Sequence, residues 1–192
     1  MNFPRTVIGY HGCLEPLASE LLSGKKSLAD WPVSRNKWDW LGESIYFWEH
    51  GPHRAMRWAE NKARARRAAG RHVKPTVVGA IILLRDNVLD LTDFHFAPML
   101  AKSYEVLASR FAATGLKLPE NEESDRKRHN LDCLVINTLF RIPRIRAAYS
   151  VVRGAFEEGD CAFPGSMIKK ETHIQLAVRD PSVICGLFKP AF

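Results

Sequence analysis

Three short stretches carry residues whose types and spacing suit chemistry on a small polar ligand. Tyr10-His11-Gly12 sets an imidazole beside a residue without a side chain. Leu41-Gly42-Glu43-Ser44-Ile45-Tyr46-Phe47-Trp48 carries three consecutive aromatics, and His53-Arg54-Ala55-Met56-Arg57-Trp58 follows with a fourth. Glu171-Thr172-His173-Ile174-Gln175-Leu176-Ala177-Val178 alternates polar and apolar residues. On a strand that alternation places Glu171, His173 and Gln175 on one face and Thr172, Ile174 and Leu176 on the other. Each stretch alone also fits ordinary packing or solvent exposure. Their order along the chain is the more informative signal.

The elements that must position these residues follow from local pattern. Strands are expected over 6–10, 44–48, 76–84, 150–156, 172–178 and 183–188, and 89–92 can continue the sheet. Helices are expected over 16–22, 52–69, 96–113 and 131–140. Pro52 suits a first turn, and Gly24 and Gly115 suit helix ends. Residues 25–39 read as a long loop, a type that often carries function. Residues 117–130, acidic at 120–125 and basic at 126–128, read as a loop at the edge of an insertion. Short strands with helices gathered in the first two-thirds imply an α+β domain. One domain over 1–192 is expected, with 85–148 as a helical insertion.

Composition narrows the class. The chain has 192 residues, 46% hydrophobic and 26% charged, with a formal net charge of +7. This is globular composition. No run approaches the roughly 18 apolar residues of a membrane-spanning helix, so no membrane partner is expected. The first eight residues lack an apolar core, so a secretory signal is not expected and a cytoplasmic setting is. Cys13, Cys133, Cys161 and Cys185 are scattered, with no metal-ligand spacing, so neither zinc nor any other metal is expected. There is no Gly-x-Gly-x-x-Gly, P-loop, His-Glu-x-x-His or Gly-x-Ser-x-Gly, which argues against a Rossmann site, an ATPase, a zinc protease and an α/β-hydrolase. Excess positive charge, with Arg54, Arg57, Arg64, Arg66 and Arg67 on one helix, suits a polyanion such as nucleic acid. A solvated helix face would look the same.

In order, the three stretches resemble the ADP-ribosyltransferase superfamily, in its diphtheria-toxin and poly(ADP-ribose)-polymerase branch with a His-Tyr-Glu pattern. Tyr10-His11-Gly12 matches the first motif. Gly42-Glu43-Ser44-Ile45-Tyr46-Phe47 matches the second, with Ser44 where Gly is common. Trp58 falls near the second aromatic. Gln175-Leu176-Ala177-Val178 matches the late strand, with Gln175 where the Glu would stand. The likeness is good over 7–60, moderate over 150–188 and absent from 85–148. It implies a split β-sheet core with flanking helices, and NAD as co-substrate.

The resemblance assigns roles that elementary chemistry supports. Tyr46 and Trp58, with Phe47 as a substitute, would stack the nicotinamide. Gly12 would offer its backbone to the nicotinamide amide. His11 would donate to the adenosine-side ribose. Arg35 and Arg153 would hold the pyrophosphate. Cleaving the C1′–N bond develops positive charge on the ribose, which a carboxylate on the 2′-OH would stabilise. Gln175 can make that hydrogen bond but brings no charge. Glu171, His173 or Glu49 can then serve the acceptor instead. Members without the Glu are read as mono-ADP-ribosyltransferases or as inactive.

The expected activity is thus transfer of one ADP-ribose from NAD, with nucleic acid as the favoured acceptor and protein or water as alternatives. By analogy at the level of fold, the role would be a bacterial toxin or phage-defence effector, with a neutralising antitoxin as partner. The competing class is a module that binds NAD, ADP-ribose or nucleic acid without catalysis.

Overall fold

The computed structural model describes residues 4–122 and 128–191. Of the acidic-to-basic run at 120–128, only 120–122 and Arg128 lie within the described residues, and the first three residues lie outside them. The chain is α+β. Seven strands form one mixed sheet: β1 (Arg5–Leu14), β2 (Ile45–Glu49), β3 (Pro75–Leu84), β4 (Val88–Asp90), β5 (Val151–Phe156), β6 (His173–Val178) and β7 (Ile184–Phe188). Their order is β4-β5-β6-β2-β1-β3-β7, and every pairing is antiparallel except β4 with β5. Among the described residues five α-helices flank it: α1 (Glu15–Leu22), α2 (Pro52–Ala68), α3 (Ala97–Thr114), α4 (Asn130–Leu139) and α5 (Pro143–Ala148).

The alternation of β side chains divides the core between the two faces. On one face Val7, Cys13, Phe47, Ile82, Leu176 and Val178 pack with Ala18 and Leu21 of α1 and with Trp31. On the other, α2 lies over Tyr10, Trp48 and Val77, while Ile136 and Leu139 of α4 and Ile145 of α5 cover Val152 and Ala177. α2 approaches closely because its inner face is Ala55, Ala59 and Ala63, all buried. Gly12 is required beneath it, since a Cβ there would overlap the Ala55 carbonyl oxygen.

Several expected boundaries change. Helix α5 falls in a stretch given no element of its own within the expected helical insertion; Pro143 in its first turn is the signal that marks it. The 25–39 loop contains a single 3-10 turn, Leu28–Asp30, and is tied to β2 by a bridge between Ser34 and Ser44. Residues 85–148 contribute β4 to the sheet and lay α4 and α5 on its face, so much of this stretch buttresses the core. Strand β6 begins at His173, so Glu171 precedes the strand and does not share its alternation.

Candidate functional site

The sheet parts at its centre. β1 pairs with β2 only at Gly9–Glu49 and Tyr10–Trp48. Continued antiparallel pairing would set His11 opposite Phe47 and Gly12 opposite Tyr46, but no ladder forms there. β1 runs on against β3 alone, through Leu14. A cavity of about 860 Å³ opens at this parting, within the size range of small-molecule sites. Its wall combines His11 and Gly12 of β1, residues 44–48, the 32–40 loop, the outer face of α2 and the loop between β5 and β6.

His11 bridges the parting. Its Nδ1 donates to the Tyr46 carbonyl oxygen at 2.8 Å, and since a carbonyl only accepts, Nδ1 carries the proton. Burial, opposed by that hydrogen bond and aided by the Lys62 charge, lowers its pKa to about 4. The ring is therefore neutral at pH 7, and Nε2 is an acceptor with no partner among the described residues. The expected role was donation; in this tautomer the free Nε2 is able to accept from a hydroxyl and not to donate to one.

Tyr46 is clamped by its hydroxyl, which donates to the Gly42 carbonyl at 2.6 Å and accepts from the Leu41 N–H at 2.9 Å. Burial, then the nearby Asp39 carboxyl, holds the phenol well above its ordinary pKa. Both polar functions are used, so the ring alone is left for a ligand. Gly42 adopts φ +77°, and a Cβ there would press on Asn137 and Arg179, which fix the turn. Phe47 is fully buried, with its ring against His11 and Trp31 at 5.8 and 5.4 Å. It therefore supports His11 and cannot stack a ligand. Trp58 is 43% exposed and stands 5.9 Å from Trp48.

Gln175 lies opposite Trp48 on β2 and is buried. Its amide nitrogen is 2.9 Å from His173 Nε2. His173 Nδ1 donates to the Glu171 carbonyl at 2.6 Å, so Nε2 accepts from the amide N–H and Gln175 Oε1 is left as an acceptor. Burial, with the Arg54 charge, lowers the His173 pKa and keeps the ring neutral, against the Glu171 hydrogen bond and the Glu158 and Glu171 charges. His173 is thus a positioning residue for Gln175.

Beside Gln175 lies an ionic group that the sequence reading missed in part. Glu158, 6% exposed, is ion-paired with Arg54 and 4.0 Å from His173 Nδ1. Glu171 pairs with Arg57 at 2.8 Å and with Arg54 at 3.6 Å. Arg54 Nε is buried without a hydrogen bond. Arg54, Trp58, Asn61 and Lys62 all line the cavity, and their i, i+4, i+7, i+8 spacing is a single helical face. That spacing is the signal that could have found Asn61 and Lys62. Glu158, in Glu157-Glu158-Gly159, looks like solvated loop and gives none.

Other expected residues lie elsewhere. Arg153 is buried with Nε and Nη2 on Glu49 at 2.6 and 3.3 Å and Nη1 on Asp90 and Thr92 at 3.1 and 3.0 Å. Its donors are consumed and it is not part of the cavity wall, so the expected pyrophosphate role is corrected. Glu49 is held in the same pair. Arg35 is exposed beside Glu43 at 3.8 Å and is also outside the wall, although Ser34 and Asn36 belong to it. Of the expected arginine stripe, Arg54 and Arg57 belong to the cavity, while Arg64, Arg66 and Arg67 stand exposed farther along α2. Among the described residues no group of three His, Cys, Asp or Glu side chains can hold a metal ion, and no helix is long and apolar enough to cross a membrane. Compared with protein-family models, with curated proteins and with solved structures, the chain has no match.

Proposed function

We propose that this chain is an NAD-dependent mono-ADP-ribosyltransferase built on a split sheet. One observation carries the reading. The sheet parts beyond Tyr10–Trp48, and the cavity at the parting is lined by His11, Gly12, Tyr46 and Gln175, the residues on which the resemblance rests.

The division of labour follows from free hydrogen-bonding capacity. His11 Nε2 accepts from a ribose hydroxyl. The Tyr46 and Trp58 rings present π-faces to the flat nicotinamide, about 0.5–1.5 kcal/mol per ring contact. The diphosphate has Arg54, Arg57 and Lys62 on the α2 wall, in place of the expected Arg35 and Arg153. Gln175 Oε1, fixed by His173, accepts from the hydroxyl beside the reacting carbon. The C1′–N bond breaks with its electron pair leaving on nicotinamide, the acceptor's nucleophile bonds to C1′, and the acceptor loses a proton. Glu158 and Glu171, wall carboxylates beside the His173 that holds Gln175, are the candidates for that proton.

The test incubates purified protein with labelled NAD and, separately, a protein lysate, single-stranded DNA, duplex DNA and RNA. Nicotinamide release and label transfer are both followed. Release with label on one polymer supports transfer, and release without transfer supports hydrolysis. Gln175→Glu should raise release about tenfold or more, because a carboxylate there meets developing positive charge. Gln175 also favours a second reading, a non-catalytic NAD-binding module. NAD bound without release, in wild type and Gln175→Glu alike, would select it.

A further inference from the structure

We infer that the exposed far end of α2 and the turn after it form a docking surface for single-stranded nucleic acid, which delivers an unpaired base to the cavity. The inference rests on the proposed transfer reaction only for the use made of the bound strand. Six basic residues and no acidic residue fall within 62–74: Lys62, Arg64, Arg66, Arg67, Arg71 and Lys74. Each is exposed, and none forms an ion pair among the described residues. The contrast with Arg54 and Arg57, both paired to carboxylates, lies within one helix.

The fold gathers these charges. Gly70, at φ +75°, reverses the chain after α2, and the Arg71 N–H bonds back to the Arg66 carbonyl at 2.9 Å. This sets Arg71 beside Arg66 and Arg67 at the helix end. Two arginines in a last turn can be explained by the helix dipole; six unpaired cations cannot. Lys62 belongs to the cavity wall, and Arg66 follows one turn later on the same side of α2, while Arg64 and Arg67 lie farther round the helix beside Glu60. From Trp58 to Arg67 the helix rises about 14 Å, roughly four stacked nucleotide steps. Glu60 is the single carboxylate on α2.

Three features select the partner. A membrane-surface helix needs an exposed apolar face, but the Ala55, Ala59 and Ala63 face is buried on the sheet. A base can enter a cavity only when unpaired. Trp58, half-exposed where the basic row meets the cavity, offers a stacking face.

The experiment is fluorescence anisotropy of labelled 12-nucleotide single-stranded RNA and DNA, without NAD, over a salt series. The comparison set is a duplex of the same sequence, inorganic polyphosphate and vesicles with 30% phosphatidylserine. The variants are R64E/R66E/R67E and a charge-matched control, R141E/R144E/R146E, on exposed arginines around α5. The expected result is strand binding tighter than duplex, polyphosphate or vesicle. The α2 variant should weaken it about tenfold or more and flatten the salt slope by about 2–3, while the control changes it less than threefold. Equal loss in both variants, unchanged binding in the α2 variant, or no preference for the strand would overturn the proposal. Nicotinamide release without polymer is measured beside it and should be equal in the α2 variant and wild type. Strand binding without release would leave this surface standing and remove the transferase reading; release without strand binding would do the reverse.

Discussion

Arg153 is buried and Arg54 half-buried, each beside two carboxylates, yet their surroundings differ in a way that separates scaffold from site. Arg153 is closed: Glu49, Asp90 and Thr92 use its Nε, Nη1 and Nη2. Arg54 is open: it borders the cavity, its Nε has no acceptor, and the Trp48 ring lies 5.7 Å from its guanidinium carbon. Residue type did not distinguish them, since Arg is the natural phosphate ligand in either place. Unspent donor capacity facing a cavity does distinguish them.

The largest expected effect tests that contrast directly. Arg153→Ala strands Glu49 and Asp90 and should cost about 3–5 kcal/mol of stability, with NAD affinity unchanged in the folded fraction. Arg54→Ala strands Glu158 and leaves Glu171 paired with Arg57. It should cost about 1–3 kcal/mol and weaken NAD binding about tenfold. Urea denaturation and calorimetric NAD titration on both variants would check this. An Arg153 variant that loses NAD affinity at full stability would reverse the assignment.

Acid should separate the same two regions by pH. The His11 pKa falls from 6.5 to about 4 on folding. The unfolded chain therefore takes up a proton below 6.5 that the folded chain refuses until about 4. Stability is unaffected above that window and falls as pH drops through it, by about 3 kcal/mol at most. Asp90 acts in the same direction but at lower pH. Burial would raise its pKa, but the Thr92 hydrogen bonds and Arg153 outweigh burial and hold it below 3.8. Its contribution is intact through the His11 window and is lost only as pH falls below the ordinary carboxylate range. Urea midpoints should first decline between pH 6.5 and 4, and His11→Gln should remove part of that decline but not the later one. A wild-type midpoint that holds flat from pH 6.5 to 4 would contradict the neutral His11.

The strands around the cavity were legible because their alternation is strong. β2, β3, β5 and β7 fall within a residue or so of the expected positions. His11, Gly12, Tyr46, Trp58 and Gln175 were placed by motif order, and the structure brings them to one cavity. Distances across the sheet were not legible. Nothing in Val151-Val152-Arg153 says that Glu49 and Asp90 converge on that guanidinium, because the partners are 104 and 63 residues away. Glu171 looked like a strand residue because alternation continues through it, whereas it lies in the turn before β6, paired with Arg57. Which of two aromatic neighbours faces a ligand also escaped the pattern. Phe47 and Tyr46 differ by one residue, and only the contact with Trp31 shows that Phe47 points into the opposite core.

The smallest predicted effect isolates the Tyr46 ring from its hydroxyl. Tyr46→Phe removes the donation to Gly42 and the acceptance from Leu41, and leaves the ring in place. The loss should be about 1–2 kcal/mol of stability. NAD affinity and nicotinamide release should stay within about twofold, because both polar functions of the hydroxyl already serve the turn. Tyr46→Ala, by contrast, should lower NAD affinity by more than about 1 kcal/mol through the lost ring face. Tyr46 then follows the same rule as the two arginines: the spent group is scaffold and the unspent face is site. A Tyr46→Phe variant that keeps its stability but loses turnover would place the hydroxyl in the chemistry and break that rule at its most exposed point.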